Sequence, residues 1–409
     1  MTQSRLVRLL LVSSAFGISV WAMAAASSAV YGLAGTSAVL DRTNLYGRVA
    51  AAGFSPAVEG ALPRVYVPTR RSDAVYVIDP ETRQVVDRFA VGKGPQHIVP
   101  SGDLKTLWVA NTGSNRTDGS VTPIDPKTGK PGPPLRVDDP YNLYFTPDGK
   151  SAIVVAERYS RLDFRDPVEM ALEQSLPTPQ CAGINHADFS LDGSYAIFTC
   201  EFRGGGLIKL DIVGRQVVGH LKLARTALVG ENSGTADPQE FAATVCGPGM
   251  PQDIRISPDG SIFYVADMMA DGVFLVDGKS FKQVGFIPTG VGTHGLYPSR
   301  DGTKLYVVNR GSHNISGQPH GRGGISVIDF ASKSIVTTWP IPGGGSPDMG
   351  NVSADGKVLW LSARYDDVVY AIDTSTGAVI TIPVGKEPHG LTVWPQPGRY
   401  SLGHTGNMR

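Results

Sequence analysis

The stretch EPHGLTVWPQPGRY (387–400) has the form of a repeat that begins and then stops. Two earlier stretches of the same form, GMPQDIRISPDG (249–260) and VGTHGLYPSRDG (291–302), each open a longer unit. In those units the Asp-Gly turn is followed by a short apolar run, a loop and a second apolar run that ends in Asp or close to it. Only a short tail follows the copy at 387, so its partner strands must come from elsewhere in the chain.

The aspartates of these turns give the length of the repeat. Their spacings are 45, 44, 67, 42 and 54 residues, and the two long intervals contain insertions at 223–249 and 310–324. Each unit has four short runs rich in β-branched and aromatic residues, which is typical of strands. Four strands in about 42 residues indicate a β-propeller blade. The turn residues are Asp103, Asp148, Asp192, Asp259, Asp301 and Asp355.

The first blade lacks its innermost strand. It contains RVYVPT (64–69), AVYVID (74–79) and VVDRFAVG (85–92), and HGLTVW (389–394) can supply the missing strand. A sheet built from both ends of the chain closes the ring without a free edge. We therefore predict an all-β fold, a seven-bladed β-propeller with four-stranded blades, over residues 61–398. Residues 399–409 are a C-terminal tail to which the sequence assigns no chemistry.

Several segments carry a family resemblance. LYVVNRG (305–311), GISVIDF (324–330) and blade ends such as IPVGKEP (382–388) resemble the YVTN-repeat, or YncE-like, seven-bladed propellers. The resemblance covers about residues 61–396 and specifies the fold much better than an activity. It implies an extracytoplasmic protein. Related propellers include lactonases, lyases and cofactor-bearing electron-transfer proteins, so the fold leaves the function open.

The N-terminal residues 1–34 predict a signal peptide or an N-terminal anchor. Arg5 and Arg8 precede a stretch without charge from Leu9 to Leu40, and small residues cluster in AMAAASSA (22–29). This is the pattern of a cleaved export signal, although the apolar run is also long enough to span a bilayer. We expect an exported protein that is periplasmic, secreted or membrane-anchored on the extracytoplasmic side, with membrane contact only if the segment is uncleaved. Residues 35–60 are predicted to be a weakly structured lead-in.

Composition restricts the partners. The 37 basic and 37 acidic residues balance, so no overall electrostatic field attracts nucleic acid.

An exported protein can keep a disulfide, and the chain has Cys181, Cys200 and Cys246. We expect Cys181 and Cys246 to pair because both lie in loops expected to be neighbours, with Cys200 as a buried apolar residue. The spacing alone leaves the other pairings open.

The histidines are concentrated on one face of the predicted ring. The innermost strands line an axial channel, and we call the end where they begin the channel mouth. Side chains at the starts of these strands converge there. Six of the eight histidines lie on this face, whereas His220 and the tail residue His404 are placed elsewhere. The six are His97, His186, His294, His313, His320 and His389.

The channel mouth predicts the binding of a small ligand or a metal ion. His294, Asp348 and His389 come from consecutive blades, and a His/His/carboxylate set suits a divalent transition metal. Arginines that follow second strands could instead bind an anion bidentately. Histidines that only cap strands are the structural alternative. The candidate ligand-binding residues are His97, Asn142, His186, Glu201, Arg203, Asp253, Asp267, Arg310, Asp348 and Arg364.

Two other functions fit the same sequence. A lactonase- or lyase-like enzyme could use His294, His389 or His186 as a general base, with Arg310 stabilising an oxyanion. No nucleophile motif and no C-x-x-C-H haem motif occurs in the sequence. The chain could also be a scaffold whose loop 310–324 binds another protein.

Overall fold

The computed structural model describes residues 43–115, 117–224, 249–314 and 321–409. Within these ranges the strands form seven antiparallel sheets, one for each blade. Blades one to three contain β1 (Arg64–Thr69), β2 (Ala74–Asp79), β3 (Gln84–Ala90), β4 (Pro95–Pro100), β5 (Leu107–Asn111), β6 (Ser120–Asp125), β7 (Lys130–Pro131), β8 (Leu135–Arg136), β9 (Pro140–Phe145), β10 (Ala152–Ala156), β11 (Arg161–Arg165) and β12 (Leu172–Pro177).

In blade two the outermost strand is divided into β7 and β8, and both pair with β6. The remaining blades follow in chain order. Blades four to seven contain β13 (Ile184–Phe189), β14 (Tyr195–Cys200), β15 (Gly206–Asp211), β16 (Gln216–Leu221), β17 (Pro251–Ile256), β18 (Ile262–Asp267), β19 (Gly272–Asp277), β20 (Lys282–Pro288), β21 (Thr293–Pro298), β22 (Lys304–Asn309), β23 (Gly324–Asp329), β24 (Ser334–Pro340), β25 (Pro347–Val352), β26 (Val358–Ala363), β27 (Val368–Asp373) and β28 (Val379–Pro383).

The last strand, β29 (Thr392–Trp394), closes the ring. It pairs antiparallel with β1, with Val393 opposite Val65, so blade one has the order β29-β1-β2-β3. The predicted seven-bladed β-propeller, closed by its C-terminal strand, is confirmed. Closure between two strands more than 300 residues apart joins the chain ends in one hydrogen-bonded sheet.

Burial decreases from the axis outward. Every residue of the innermost strands β4, β9 and β13 is buried, whereas β3 and β12 are largely exposed. The innermost strands are packed between neighbouring blades, and the tail residues that fill the channel cover their inner edges. Polar residues in these strands therefore need hydrogen-bond partners within the protein. Some of these partners are side chains of adjacent blades: Asp188 Oδ2 accepts from Ile256 N at 2.9 Å, and Asp253 Oδ2 accepts from Leu296 N at 2.9 Å.

The lead-in is more ordered than predicted over its described part. Helix α1 (Leu45–Ala51) begins at Asn44, whose side chain accepts from Gly47 N at 2.9 Å. The helix buries Leu45 and Val49, and Tyr46 Oη donates to the carbonyl of Ile256 at 2.5 Å. The helix therefore docks at the end of the channel opposite the mouth. Among the described residues, no helix has the length and apolar character needed to cross a membrane.

The disulfide differs from the expected pair. Cys181 is bonded to Cys200, with their Cα atoms 4.8 Å apart. Cys200 ends β14 and Cys181 lies in the loop before β13, so the pairing of β13 with β14 brings the two together. Cys246, the expected partner, lies outside the described residues. The sequence predicted that the loop of Cys181 neighbours the insertion 223–249, which contains Cys246, but it contains no measure of the distance from Cys181 to the neighbouring strand.

Candidate metal centre

The starts of the innermost strands bring a ring of polar side chains together at the channel mouth. Burying so many polar groups is unfavourable unless each has a hydrogen-bond partner or a ligand. Their contacts therefore decide what the ring can do. The side chains, each no more than 8 % exposed, are Gln96, His97, Tyr141, Asn142, Asn185, His186, Gln252, Asp253, His294, Asp348 and His389.

Three of them form a compact group that we call the first triad: His294, Asp348 and His389. Each offers one ligand atom, and these atoms all lie within 4.8 Å of one another. His294 Nδ1 is 2.9 Å from Asp348 Oδ1, and His389 Nε2 is 3.7 Å from Asp348 Oδ2. Ligand atoms about 2.1 Å from a tetrahedral ion lie about 3.4 Å apart. The triad is therefore close to the spacing of a metal site.

Hydrogen bonds do not satisfy the facing atoms of the first triad. Over the described ranges, His294 Nδ1, His389 Nε2 and both Asp348 oxygens are buried without a hydrogen-bond partner of normal geometry. His389 Nδ1 lies 3.2 Å from the carbonyl oxygen of Gln96. A carbonyl only accepts, so the ring proton sits on Nδ1 and Nε2 presents a lone pair toward Asp348. A cation between the two would satisfy both electron-pair donors.

Asp348 is ionised although it is fully buried. Burial raises the pKa of its carboxyl group, but the guanidinium of Arg310 and the neighbouring His294 hold that pKa well below its usual value. Arg310 Nε lies 3.8 Å from Asp348 Oδ1, while Arg310 Nη2 donates to Tyr365 Oη at 2.7 Å. The guanidinium thus balances part of the negative charge without a short hydrogen bond to the carboxylate.

Four histidines of the channel are electrically neutral at pH 7. Burial is the largest cause in each case, and it lowers the pKa of each imidazole well below its usual value. Neutral imidazole is the form that binds metals, because a protonated ring has no free lone pair. The channel therefore offers ligands that need not lose a proton. The four are His97, His186, His389 and His404.

His404 corrects two sequence-based expectations. It was placed away from the channel, on a tail with no assigned chemistry, yet its side chain is fully buried in the channel. Its ring centroid lies 4.6 Å from that of His186 and 5.4 Å from that of His97. No local pattern distinguishes GHTG (403–406) from a surface turn, so the sequence carried no signal for this placement.

The tail, residues 399–409, fills the channel as a hairpin that we call the tail plug. Ser401 pairs antiparallel with Met408, and Leu402 N donates to Asn407 O at 2.7 Å. The tip turns at Gly403 and His404, which have φ of +98° and +50°. The plug enters from the end where the innermost strands finish, because it directly follows β29, and its tip reaches the histidines.

The tail plug is hydrogen-bonded to several blades around the channel. His404 N donates to Leu143 O at 2.9 Å in blade three, and Thr405 Oγ1 donates to Gly350 O at 2.9 Å in blade seven. In blade four, Arg409 Nη2 lies 2.8 Å from Asp188 Oδ1. These contacts fix the position of the tip relative to the ring.

Three of the predicted ligand-binding residues do not belong to the ring of polar side chains at the channel mouth. Asp267 accepts hydrogen bonds from the backbone N–H groups of Met250, Met269 and Ala270, so it holds a loop in place. Glu201 accepts from Asn185 Nδ2 at 3.0 Å. Arg203 is exposed.

Glu201 also influences a neighbouring carboxyl group. Burial and the charge of Glu201 raise the pKa of Glu157 well above its usual value. A raised pKa of this kind is typical of two carboxyl groups that hold a proton between them.

Arg364 lies beside Asp348, and its Nε has no hydrogen-bond partner within the described ranges. The other predicted arginine, Arg310, is almost completely buried. Both arginines lie at the channel mouth, and their binding of a ligand stays a prediction.

The loop 310–324 is described only at its two ends. His313 Nε2 lies 2.7 Å from Asp271 Oδ1, and Tyr365 Oη donates to Asn314 O at 3.0 Å. Residues 315–320, including His320, lie outside the described ranges. Binding of another protein by this loop stays a prediction.

Comparison with known proteins identifies a family. The family model described as "YNCE-like beta-propeller" matches residues 17–237 and 244–397. No curated protein matches the chain in sequence.

Solved structures share the fold at low identity. Kuenenia stuttgartiensis hydrazine synthase is 18 % identical with a TM-score of 0.60, and the match covers 77 % of this chain and 94 % of that one. A putative 6-phosphogluconolactonase from Bacteroides uniformis is 17 % identical with a TM-score of 0.59, covering 81 % and 99 %. A dihydro-heme d1 dehydrogenase, NirN, is 16 % identical with a TM-score of 0.55, covering 83 % and 75 %. At these identities the likeness concerns the fold alone.

Proposed function

The chain belongs to the YNCE-like β-propeller family, and since a propeller fold does not fix an activity, we propose a function from its channel: binding of a divalent transition-metal ion by the first triad. One observation carries this proposal. His389 Nε2 lies 3.7 Å from Asp348 Oδ2 in a buried site, and neither atom has a hydrogen-bond partner among the described residues. An ion bound by both atoms would give each of them a partner.

The donor set limits the class of ion. Two imidazole nitrogens and one carboxylate oxygen suit zinc, copper, nickel or iron(II), whereas calcium and magnesium prefer sets made of oxygen only. The nearby guanidinium of Arg310 leaves the site less negative than the carboxylate alone would make it. The imidazoles should therefore provide most of the affinity for the ion. Among divalent ions this affinity should follow the usual order, in which copper binds more tightly than zinc or nickel.

Export is part of the proposal. The charged start, uncharged stretch and small residues of 1–34 have the pattern of a signal peptide. An exported protein would bind its ion outside the cytoplasm, in the periplasm or beyond. Residues 1–34 lie outside the described ranges, so sequence is the support for this part.

Elemental analysis tests the first triad. The full-length protein is incubated with Zn²⁺, freed of unbound metal and analysed beside a His294→Ala/His389→Ala double variant. We expect the double variant to lose one equivalent of zinc. A His220→Ala variant is the matched control, because His220 is exposed on the outer strand β16, and it should retain all the zinc. Equal zinc in all three proteins would exclude the first triad as a metal site.

A small anion is the second candidate ligand. Arg310 and Arg364 lie near Asp348, and the Nε of each is buried without a hydrogen-bond partner in the described part of the chain. Such N–H groups can bind a carboxylate or an oxyanion. This function predicts that phosphate or a small carboxylate raises the Tm of the protein, that Arg364→Ala abolishes the increase, and that zinc does not bind.

A further inference from the structure

A second group of ligand atoms lies in the channel beside the first triad. We call it the second triad: His186 from β13, Asp253 from β17 and His404 from the tail plug. Its three ligand atoms also lie within 4.8 Å of one another, and all three side chains are fully buried. The two triads share no residue. Whatever binds at one can therefore be tested separately from the other.

Each imidazole of the second triad has a buried Nε2 atom without a partner in the described part of the chain. Over the described ranges, His186 Nε2 and His404 Nε2 are buried without a hydrogen-bond partner. The nearest charged atom is Asp253 Oδ1, which lies 3.5 Å from His404 Nε2. Two unpartnered, buried ring nitrogens next to a carboxylate indicate a site for a ligand rather than a finished hydrogen-bond network.

Asn142 orients both rings. Its side-chain nitrogen Nδ2 lies 3.1 Å from His186 Nδ1 and 3.0 Å from His404 Nδ1, so one group contacts the inner nitrogen of each imidazole. An outer partner of this kind fixes the ring orientation of metal-ligating histidines. A metal on both Nε2 atoms requires the ring protons to sit on Nδ1. Asn142 then has to present its oxygen to these protons and give up the hydrogen bond that Oδ1 accepts from Leu143 N at 2.9 Å.

His97 and Asp253 contribute further polar atoms to the region of the second triad. Both ring nitrogens of His97 are buried without a partner in the described residues, and its ring lies between the two triads, 4.7 Å from that of His389 and 5.4 Å from that of His404 between centroids. Asp253 Oδ1 also receives Arg255 Nη1 at 2.7 Å, so its charge is partly balanced. The imidazoles therefore supply most of the binding capacity.

We propose that the second triad binds a second transition-metal ion, and that the C-terminal tail supplies one of its ligands. The protein then holds two ions in one channel, one bound by the blades alone and the other bound by blades four and five together with the tail plug. Because a ligand that binds only the seated tail stabilises it, the second ion also fastens the plug in the channel.

Metal stoichiometry measured by titration with Co²⁺ tests this proposal, because cobalt reports histidine ligation by its visible absorption. The full-length protein should bind two equivalents, and His404→Ala should bind one. Asn407→Ala is the matched control within the tail: it removes the hydrogen bond from Asn407 Nδ2 to Ala187 O but no ligand atom. It should still bind two equivalents, which separates loss of a ligand from loosening of the tail.

The variants also separate the two proposals. A protein that loses one equivalent in His404→Ala but none in His294→Ala/His389→Ala would overturn the proposed function and support the second site. If the full-length protein binds a single equivalent and both variants bind none, the channel has one shared site, and the second proposal is overturned. Unchanged binding in His404→Ala, or loss of one equivalent in Asn407→Ala as well, would also overturn it.

Protection of the tail plug from proteolysis is an independent measure of metal binding at the second triad. Carboxypeptidase should remove residues from the C-terminus of the apoprotein faster than from the protein loaded with Co²⁺, by at least tenfold if the second ion fastens the plug. In His404→Ala the rate should be the same with and without Co²⁺. A metal-dependent rate in that variant would contradict the role of His404 as a ligand.

Discussion

Asp348 is the one carboxylate of the first triad, and both of its oxygens face imidazole nitrogens. It is also the nearest negative charge to Arg310, which is 1 % exposed. A residue in this position has two effects that mutation can separate: it provides a ligand atom, and it balances a buried cation.

Replacing Asp348 by Asn keeps its shape and removes its charge. We expect zinc binding at the first triad to be lost and the free energy of unfolding to fall by about 3 kcal/mol, because a buried guanidinium is left without its counter-charge. Urea denaturation and zinc analysis measure the two effects. Asp355→Asn, on an exposed turn, is the control and should keep its zinc. Unchanged stability in Asp348→Asn would show that Arg310 does not depend on this carboxylate.

At the scale of the single blade, the turn between the first two strands recurs with the same hydrogen bond. A Ser or Thr hydroxyl donates to the Asp two residues later in six blades, for example Thr146 to Asp148 at 2.6 Å and Ser299 to Asp301 at 2.6 Å. The same side chain of Asp148 accepts from Lys150 N at 3.1 Å. These bonds explain why the sequence repeats Asp at this position: the carboxylate holds the turn together.

The turns should make the protein sensitive to acid. Partial burial raises the pKa of the Asp148 carboxyl group, but the hydrogen bonds from Thr146 and Lys150 lower it more, so its pKa lies below the usual value. The pKa values of Asp192, Asp259, Asp301 and Asp355 are lowered in the same way. The ionised carboxylates then stabilise the fold above about pH 4, the usual pKa of Asp, and this contribution is lost as the pH falls below it.

Thermal unfolding between pH 7 and pH 3 measures this effect. We expect the Tm to change little down to about pH 5 and to fall steeply below pH 4. Thr146→Ala removes the hydrogen bond to the Asp148 carboxylate and the hydrogen bonds of the same hydroxyl with Ser151, so its Tm should be lower at pH 7, and the difference should become smaller, without vanishing, as the pH falls to 3. Ser334→Ala, whose hydroxyl contacts only Ser332 Oγ in the described residues, should follow the original curve. A constant difference for Thr146→Ala at every pH would contradict the electrostatic explanation.

At the scale of the whole molecule, the two ends of the chain have different tasks. β29 completes blade one and closes the ring, whereas the tail plug fills the channel. Deletion of residues 386–409 removes both elements, and deletion of 399–409 removes only the plug. These two truncations therefore separate ring closure from channel filling.

Truncation after residue 398 should leave a folded ring with a lower Tm, one equivalent of Co²⁺ instead of two, and faster metal exchange at the first triad. Truncation after residue 385 should abolish cooperative unfolding, because β1 then becomes an unpaired edge and the ring is open. Circular dichroism during heating and stopped-flow metal exchange are the measurements. A cooperative transition in the shorter protein would show that closure by β29 is dispensable.

Export can be tested on the intact cell. We expect N-terminal sequencing of the protein from the extracytoplasmic fraction to begin within or just after AMAAASSA (22–29). Replacing Arg5 and Arg8 by Glu should leave the full-length chain in the cytoplasm. A mature protein that keeps Met1 and sediments with membranes would indicate an anchor in place of a cleaved signal.

The sequence by itself determined the β-propeller, its seven blades, the closing strand and the membership of the first triad. These depend on local patterns: the turn chemistry marks each repeat, the β-branched runs mark the strands, and the repeat then fixes which residues begin an innermost strand. His294, Asp348 and His389 could be assigned to one site because repeats in a ring converge on one axis.

Only the tertiary structure decided the course of the tail, the place of His404 and the partner of Cys181. Each depends on contacts between segments that no repeat relates, such as His404 with Asn142 or Arg409 with Asp188. The tail has no strand period, its GHTG segment (403–406) has the pattern of any surface turn, and its conformation is set by the walls of a channel that exists only after the ring has closed. For that physical reason, the residues of the second triad could not be brought together from the sequence.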